Sequence, residues 1–336
     1  MAVLFSCTAI FVRYALLEVR NHMQNKSNAT TTGIRKNIWY YLKIDRQLIL
    51  MSIPMIAFYM IFVYYPMYGA SIAFKDFSPA LGINGSPWVG LKYFYQVFEN
   101  PFFIRLMRNT FIIGLYSLVW GFPVPIIFAL CVNEITKVKY KKVVQTVSYM
   151  PFFISVVVVV GLLYNFLSPT YGVVNTMYTS LTGNDPINFM NSKQWFRTLY
   201  IGSGIWQTFG WNSIIYLAAL AGIDPQLYDS ADIDGASRMQ KVVHITLPSI
   251  RNTIIILFIL SLGGVMNTGF EKIILMYSPS TYEVADVLQT FTYRKGIVEA
   301  NFSFGAAMGL FNSLINVIFL CAANWISKRV SEVSLW

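Results

Sequence analysis

Charge is what this 336-residue chain has least of. Only 12% of its residues are Asp, Glu, Lys or Arg, about half the share usual in soluble domains. Apolar residues make up 56%, and the mean hydropathy is +0.53. They fall in long uninterrupted runs, which excludes an ordinary soluble protein and points to lipid. Cysteine is scarce too: Cys7, Cys131 and Cys321 are too few and too scattered for a disulfide framework. His22 and His244 stand apart from any Cys or carboxylate cluster at metal-ligand spacing, so no metal site is expected. The sequence has no GxxxxGK[ST] loop, GxSxG elbow or HExxH helix. It therefore offers no phosphate cradle for ATP and no hydrolase signature. Energy for any work must come from a partner or a gradient.

What the chain does have is six apolar runs of about the 20 residues that cross a bilayer. They lie near Leu48–Phe74, Phe111–Val132, Val143–Leu167, Leu199–Ile223, Ile254–Tyr277 and Phe304–Ile326. The net charge of +10 is read as topology, with no nucleic-acid partner, because short cytoplasmic loops collect Lys and Arg. The tightest case is Glu134–Lys142, where Lys137, Lys139, Lys141 and Lys142 sit between two runs. That orientation puts both termini in the cytoplasm. Prolines Pro123 and Pro125 in the second run and Pro151 in the third are expected to kink their helices. Residues 1–36 form a separate region: Ala2–Phe11 is apolar but too short to span, which suggests an interfacial helix, and Asn21–Gly33 reads as a polar linker. Residues 37–336 form the spanning domain. In the segment after the first run, Leu91, Phe94, Tyr95 and Phe98 have the spacing of one apolar helix face, and Trp88 and Tyr93 suit an aromatic belt.

The segment 223–250, between the fourth and fifth runs, is the best-organised loop. Asp224-Pro225 is a helix start, an N-cap acceptor followed by a residue that needs no N–H donor there. Gly235 suits the left-handed residue that ends such a helix. A second short helix over Ser237–Ile245 follows, and Leu247-Pro248 leads into the fifth run. Leu227, Ala231 and Ile233 give part of this knob an apolar surface. The residues alone allow either a docking knob or a solvated, well-capped loop with Asp234 and Arg238 paired at i, i+4.

The stretch Asp229-Ser230-Ala231, Asp234-Gly235-Ala236, then Ile245-x-Leu247-Pro248 resembles the EAA loop of ABC importer permeases. It departs from that pattern in Asp229 for Glu and Ser230 for Ala. The resemblance extends over roughly residues 36–336. Tyr65-Pro66-Met67-Tyr68-Gly69, Gly85-Ser86-Pro87-Trp88-Val89-Gly90-Leu91 and Tyr282-Glu283-Val284-Ala285-Asp286-Val287 are similar to the oligo- and polysaccharide branch. It implies an all-α membrane protein with the six-helix type I ABC importer permease fold, in a bacterial inner membrane. It also implies a coupling helix that docks on an ATPase subunit, with Asp229, Ser230, Ala231, Asp234, Gly235, Ala236, Ile245, Leu247 and Pro248 as contact or shape residues. The implied partners are a second related permease, two ATP-binding subunits and an external solute-binding protein. No cofactor is expected in this chain, since ATP and Mg would sit on the ATPase partners. The same family with a non-saccharide cargo is the main alternative. A gradient-driven transporter usually shows intramembrane carboxylates and repeats, and a channel a filter or charged ring.

Saccharides are gripped by aromatic faces and neutral hydrogen-bonding groups. Trp206, Gln207, Trp211 and Asn212 in the fourth run, with Tyr216 nearby, are candidate cargo contacts, because Asn and Gln in lipid usually face an interior or a cavity. Asn267 and Glu271 in the fifth run are further candidates, with Glu271 either lining the pathway or paired with Lys272. Gly263, Gly264 and Gly269 allow a bend or close helix approach there.

Overall fold

A computed structural model describes residues 46–331, and the regions expected at 1–36 lie outside them. The described residues are helical, with a lone bridge between Lys75 and Trp88. In chain order they form α1 (Arg46–Tyr59), α2 (Lys92–Glu99), α3 (Phe103–Gly121), α4 (Pro123–Asn133), α5 (Val138–Tyr149), α6 (Val156–Phe166), α7 (Lys193–Ala221), α8 (Pro225–Ile233), α9 (Arg238–Lys241), α10 (Arg251–Gly263), α11 (Phe270–Met276) and α12 (Phe302–Ser331), with shorter helical pieces between. They group into two compact units, residues 46–99 with 295–313, and residues 100–294 with 314–331.

Three helical stretches are long and apolar enough to cross a membrane: Leu50–Phe74, Phe103–Asn133 and Phe302–Ile326. Two bent pairs raise the number to five if each pair is one span. The 29-residue α7 occupies the remaining apolar run; it is long enough, but its Gln, Asn, Gly and Trp content keeps it out of that set. The second run starts earlier than the sequence suggested and stays one 31-residue span. Its prolines fall at the start of α4, where the missing N–H groups cost least. Pro151 does break its run. Met150–Phe153 tightens to a 3-10 turn, Ser155 caps α6 by accepting the Val158 N–H at 3.3 Å, and the two halves meet at 96°.

Two prolines share a different device. The helix of α1 continues through a π turn at Met60–Tyr64, where the Tyr65 N–H reaches back to the Met60 carbonyl just before Pro66. After α9 a π turn at Val242–Thr246 does the same, with the Leu247 N–H on the Val242 carbonyl just before Pro248. Widening the helix by one residue is a common way to absorb a ring that cannot donate.

In the first unit, Tyr93 and Val97 are the buried residues of α2, while Leu91, Tyr95 and Phe98 are exposed. The apolar spacing thus marks the face that α2 turns outward, with Phe94 half-buried at its edge. Tyr93 is anchored by its hydroxyl donating to Asp76 at 2.5 Å, a contact no periodicity reveals. Trp88 stays exposed and stacks on Phe74 with the ring centroids 5.5 Å apart.

In the second unit α7 is the central strut. Phe196, Tyr200 and Ile201 pack with Ile113 of α3, Val160 of α6 and Ile273 and Met276 of α11. Toward its other end Tyr216 and Leu220 pack with Ile126 and Ala129 of α4 and with Ile250. Gly210 lets this strut close on α5, since a Cβ there would lie 2.1 Å from the Ser148 carbonyl oxygen.

Candidate functional site

The segment between α7 and α10 folds as a rigid knob. Asp224 caps α8 by accepting the Gln226 N–H at 3.0 Å, with Pro225 at the first helical position. At the other end Gly235 has φ +75°. The Ala236 N–H reaches the Ala231 carbonyl at 2.9 Å and the Gly235 N–H reaches Asp232 at 3.1 Å. This is the paired closure that a left-handed glycine allows after a helix. Ser237 and Gln240 then form a reciprocal capping box that starts α9. Across the knob, Lys241 pairs with Asp232 at 2.6 Å and the Tyr228 hydroxyl meets the Thr246 hydroxyl at 2.9 Å. The ion pair expected between Asp234 and Arg238 is not made, because the turn at Gly235 separates them and brings Lys241 onto Asp232 instead.

Local bonds satisfy this loop from within, yet its outer surface is apolar. Ile233 is 87% exposed and Met239 70%, with Leu227, Val243 and Leu247 also exposed. Asp229, Ser230, Asp234, Gly235 and Pro248 are exposed, while Ala231, Ala236 and Ile245 are half-buried. The knob continues through Leu247–Ser249 into α10 across a 61° bend.

A cavity of about 490 Å³ lies within the second unit, lined from α3, α4, α7, α10 and the break before α11. One face of α7 supplies Gly204, Thr208, Asn212 and Tyr216 at four-residue spacing. Span five breaks between Gly263 and Phe270, as its glycines suggested. That break contributes Asn267 and Thr268, and α11 adds Lys272. Asn267 Oδ1 accepts from Gln289 at 3.1 Å and Asn316 at 3.3 Å.

Of the candidate cargo contacts, the structure brings Asn212 and Asn267 to this cavity and leaves Trp206, Gln207, Trp211 and Glu271 outside its lining. Gln207 is one residue off the cavity face. It is buried and donates to the Ile154 carbonyl at 2.7 Å, filling an acceptor freed by the break in span three. Trp211 stacks flat on Phe152, with centroids 4.5 Å apart at 4°. Trp206 is exposed. Glu271 is exposed and does not pair with Lys272, whose ammonium donates to the Tyr200 carbonyl at 3.0 Å. Tyr200 escaped sequence reasoning, and Lys272 was read only as a partner for Glu271. The four-residue rhythm of Gly204, Thr208, Asn212 and Tyr216 was the signal that could have separated the cavity face from the Gln207–Trp211 face.

A second polar constellation holds one end of this unit together. Asp286 is fully buried and pairs with Arg294 at 2.7 Å and Arg105 at 3.9 Å. Thr290 donates to Asp286 Oδ1 at 2.8 Å. Asn109 of α3 donates to the Glu283 and Asp286 carbonyls at 2.9 and 3.0 Å and accepts from Arg197 of α7 at 3.0 Å. Lys193 pairs with Glu283, and its hydrogen bond and charge hold that carboxyl below its ordinary range.

Residues 121–332 match the family model described as binding-protein-dependent transport system inner membrane component. The chain belongs to that family. It is accordingly a permease subunit of an ABC importer and a multi-pass membrane protein, not itself the ATPase. It is 43% identical over 295 residues to Protein LplB of Bacillus subtilis (strain 168), covering 88% of this chain and 92% of that one. It is 40% identical over 302 residues to the polygalacturonan/rhamnogalacturonan transport system permease protein YteP of the same organism, covering 90% and 94%. Among solved structures it is similar to a chain of a bacterial alginate ABC transporter in complex with alginate pentasaccharide-bound periplasmic protein. That likeness has a TM-score of 0.81 at 42% identity and covers 88% of this chain and 99% of that chain.

Proposed function

We propose that this permease forms half of the translocation pathway for an oligosaccharide or polysaccharide and takes its drive from a separate ATPase through the knob Asp224–Pro248. The observation that carries the coupling role is the knob itself. It is a stiff, internally satisfied element with Ile233, Met239 and Leu227 turned outward, a surface that a solvated loop has no reason to display. Asp229, Ser230, Ala231, Asp234, Gly235, Ala236, Ile245, Leu247 and Pro248 then form or shape the docking surface. The polysaccharide names carried by relatives of about 40% identity over most of the chain support the cargo class.

In this reading the knob and both termini face the cytoplasm. A second related permease completes the pathway, two ATP-binding subunits carry ATP and Mg, and an extracytoplasmic solute-binding protein delivers the cargo. ATP-driven closure of the ATPase pair moves the knob, and the 61° bend at Ile250 passes that motion to α10, one wall of the cavity. Breaks at Ile154 and Gly264–Gly269 give the bundle places to flex, with Gln207 donating to the Ile154 carbonyl at the first and the Tyr200 hydroxyl accepting the Gly269 N–H at the second. A ligand shifts such an equilibrium only by its differential affinity for the two states, so the ATPase must hold the knob differently when ATP is bound. The test is ATP hydrolysis by the reconstituted complex with and without saccharide-loaded binding protein. Stimulation by the loaded protein is expected, and equal rates with and without it would contradict the assignment.

A further inference from the structure

We infer that Lys272 makes the cavity selective for saccharides that carry carboxylates, by offering an uncompensated cation where the cargo passes. This rests on the saccharide reading above and narrows it to a substrate class.

Lys272 is 7% exposed, which for a lysine ordinarily requires a paired carboxylate. None of the described ion pairs includes it. Its ammonium has three N–H groups. One donates to the Tyr200 carbonyl at 3.0 Å, and the ammonium also sits 5.2 Å from the centroid of the Tyr200 ring. Both contacts hold the head group in place, but neither neutralises its charge.

Lys272 lines the cavity together with Gly204. Gly204 lies beside it, and a Cβ at that position would come within 3.4 Å of Lys272 Nζ. Side chains longer than alanine at this position would reach the ammonium, so glycine keeps this part of the cavity wall low beside it. The rest of the lining is neutral, with Ser117, Thr208, Asn212, Ser261, Asn267 and Thr268 among apolar groups, and contains no Asp or Glu. A pathway for neutral sugars has no use for one buried, unpaired cation, and carrying it costs desolvation that nothing else in the cavity offsets. An arriving carboxylate supplies the missing partner, and the neutral lining hydrogen-bonds the hydroxyls around it. The polar contacts to Tyr200 also keep the ammonium from rotating away, so the cation is preorganised. The competing role is purely structural: Lys272, with the Gly269 N–H on the Tyr200 hydroxyl at 3.0 Å, would simply staple broken span five to α7.

Uptake into proteoliposomes by the complete importer separates the two roles. The probes are a panel of uronic-acid trisaccharides and their carboxyl-reduced, neutral counterparts. The same binding protein serves wild type and variants, so its own preference cancels in the comparison. Lys272→Gln is expected to reduce the uronate-to-neutral uptake ratio about tenfold while leaving neutral uptake within about twofold, and Lys272→Arg is expected to keep most of the ratio. A parallel fall of both uptakes in Lys272→Gln, with Lys272→Arg rescuing neither, would establish the staple and overturn the inference. So would an unchanged ratio. A wild-type complex that imports only the neutral forms overturns this inference alone, and one that imports neither set removes the saccharide reading with it.

Discussion

The knob at 224–248 and the cluster around Asp286 are both dense in polar groups, but they are held in opposite ways. Every bond in the knob joins residues at most 18 apart in sequence, Tyr228 to Thr246 being the longest reach. The Asp286 cluster ties together residues up to 177 apart, from Asn109 to Asp286, and hides a charge completely. Bonds that close locally survive when an element moves as a body, which is what a docking piece under load requires. Bonds between distant helices fix the relative position of α3, α7 and the segment before Arg294. One region is a rigid handle, and the other is a clamp.

This contrast predicts unequal costs. Asp286→Ala should be the most damaging change, since it leaves Arg294 and Arg105 without their buried carboxylate. A loss of about 3 kcal/mol is expected, the low end for breaking a buried pair because both arginines keep some solvent, and it is read as a lowered midpoint of thermal unfolding in detergent. Gln207→Leu, which strands the Ile154 carbonyl at the break of span three, should cost about 1–2 kcal/mol in the same assay. In the knob, Gly235→Ala and Asp224→Ala should each cost about 1 kcal/mol and act locally, leaving the global midpoint nearly in place. If knob substitutions lowered that midpoint as much as Asp286→Ala, the distinction between handle and clamp would fail.

Smallest is the effect of acid. The Glu283 carboxyl, held low chiefly by its hydrogen bond from Lys193, is exposed at the edge of the clamp. A depressed carboxyl contributes fully above its unfolded value, near 4.3, and loses its contribution as pH falls through the folded value. Unfolding midpoints measured from pH 7 down to pH 3 should therefore stay flat and then decline in the acid range, and Glu283→Gln should soften that decline. A variant whose profile overlays wild type would remove Glu283 from the clamp.

The same division decides what could be read from the sequence. Asp224-Pro225, Gly235 and the Ser237 start of α9 were legible because caps depend on neighbours within a few residues, and the bend at Pro151 was legible because a missing N–H acts on its own turn. Pro123 and Pro125 follow a one-residue interruption at Phe122 but do not split their span as Pro151 does, since both fall in the first turn of α4, a register that sequence alone did not fix. Gln207 and Trp211 looked like cargo contacts because polar and aromatic residues in a span suggest a cavity. Which face of α7 meets the cavity depends on how α3, α4 and α10 surround it, and one residue of rotation separates Asn212 from Trp211. The contacts of Lys272 with Tyr200, and of Asp286 with Arg105 and Asn109, were invisible because those partners lie on helices far away in the chain.

The central claim is that the exposed apolar face of the knob transmits ATPase motion, and Ile233→Asp tests it most directly. Ile233 makes little contact within the chain, at 87% exposure, so the variant should keep the wild-type unfolding midpoint. In the reconstituted complex it is expected to lose stimulation of ATP hydrolysis by loaded binding protein at least tenfold, through weakened retention of the ATPase or through uncoupling. Full stimulation in a correctly assembled Ile233→Asp complex would show that the drive enters elsewhere.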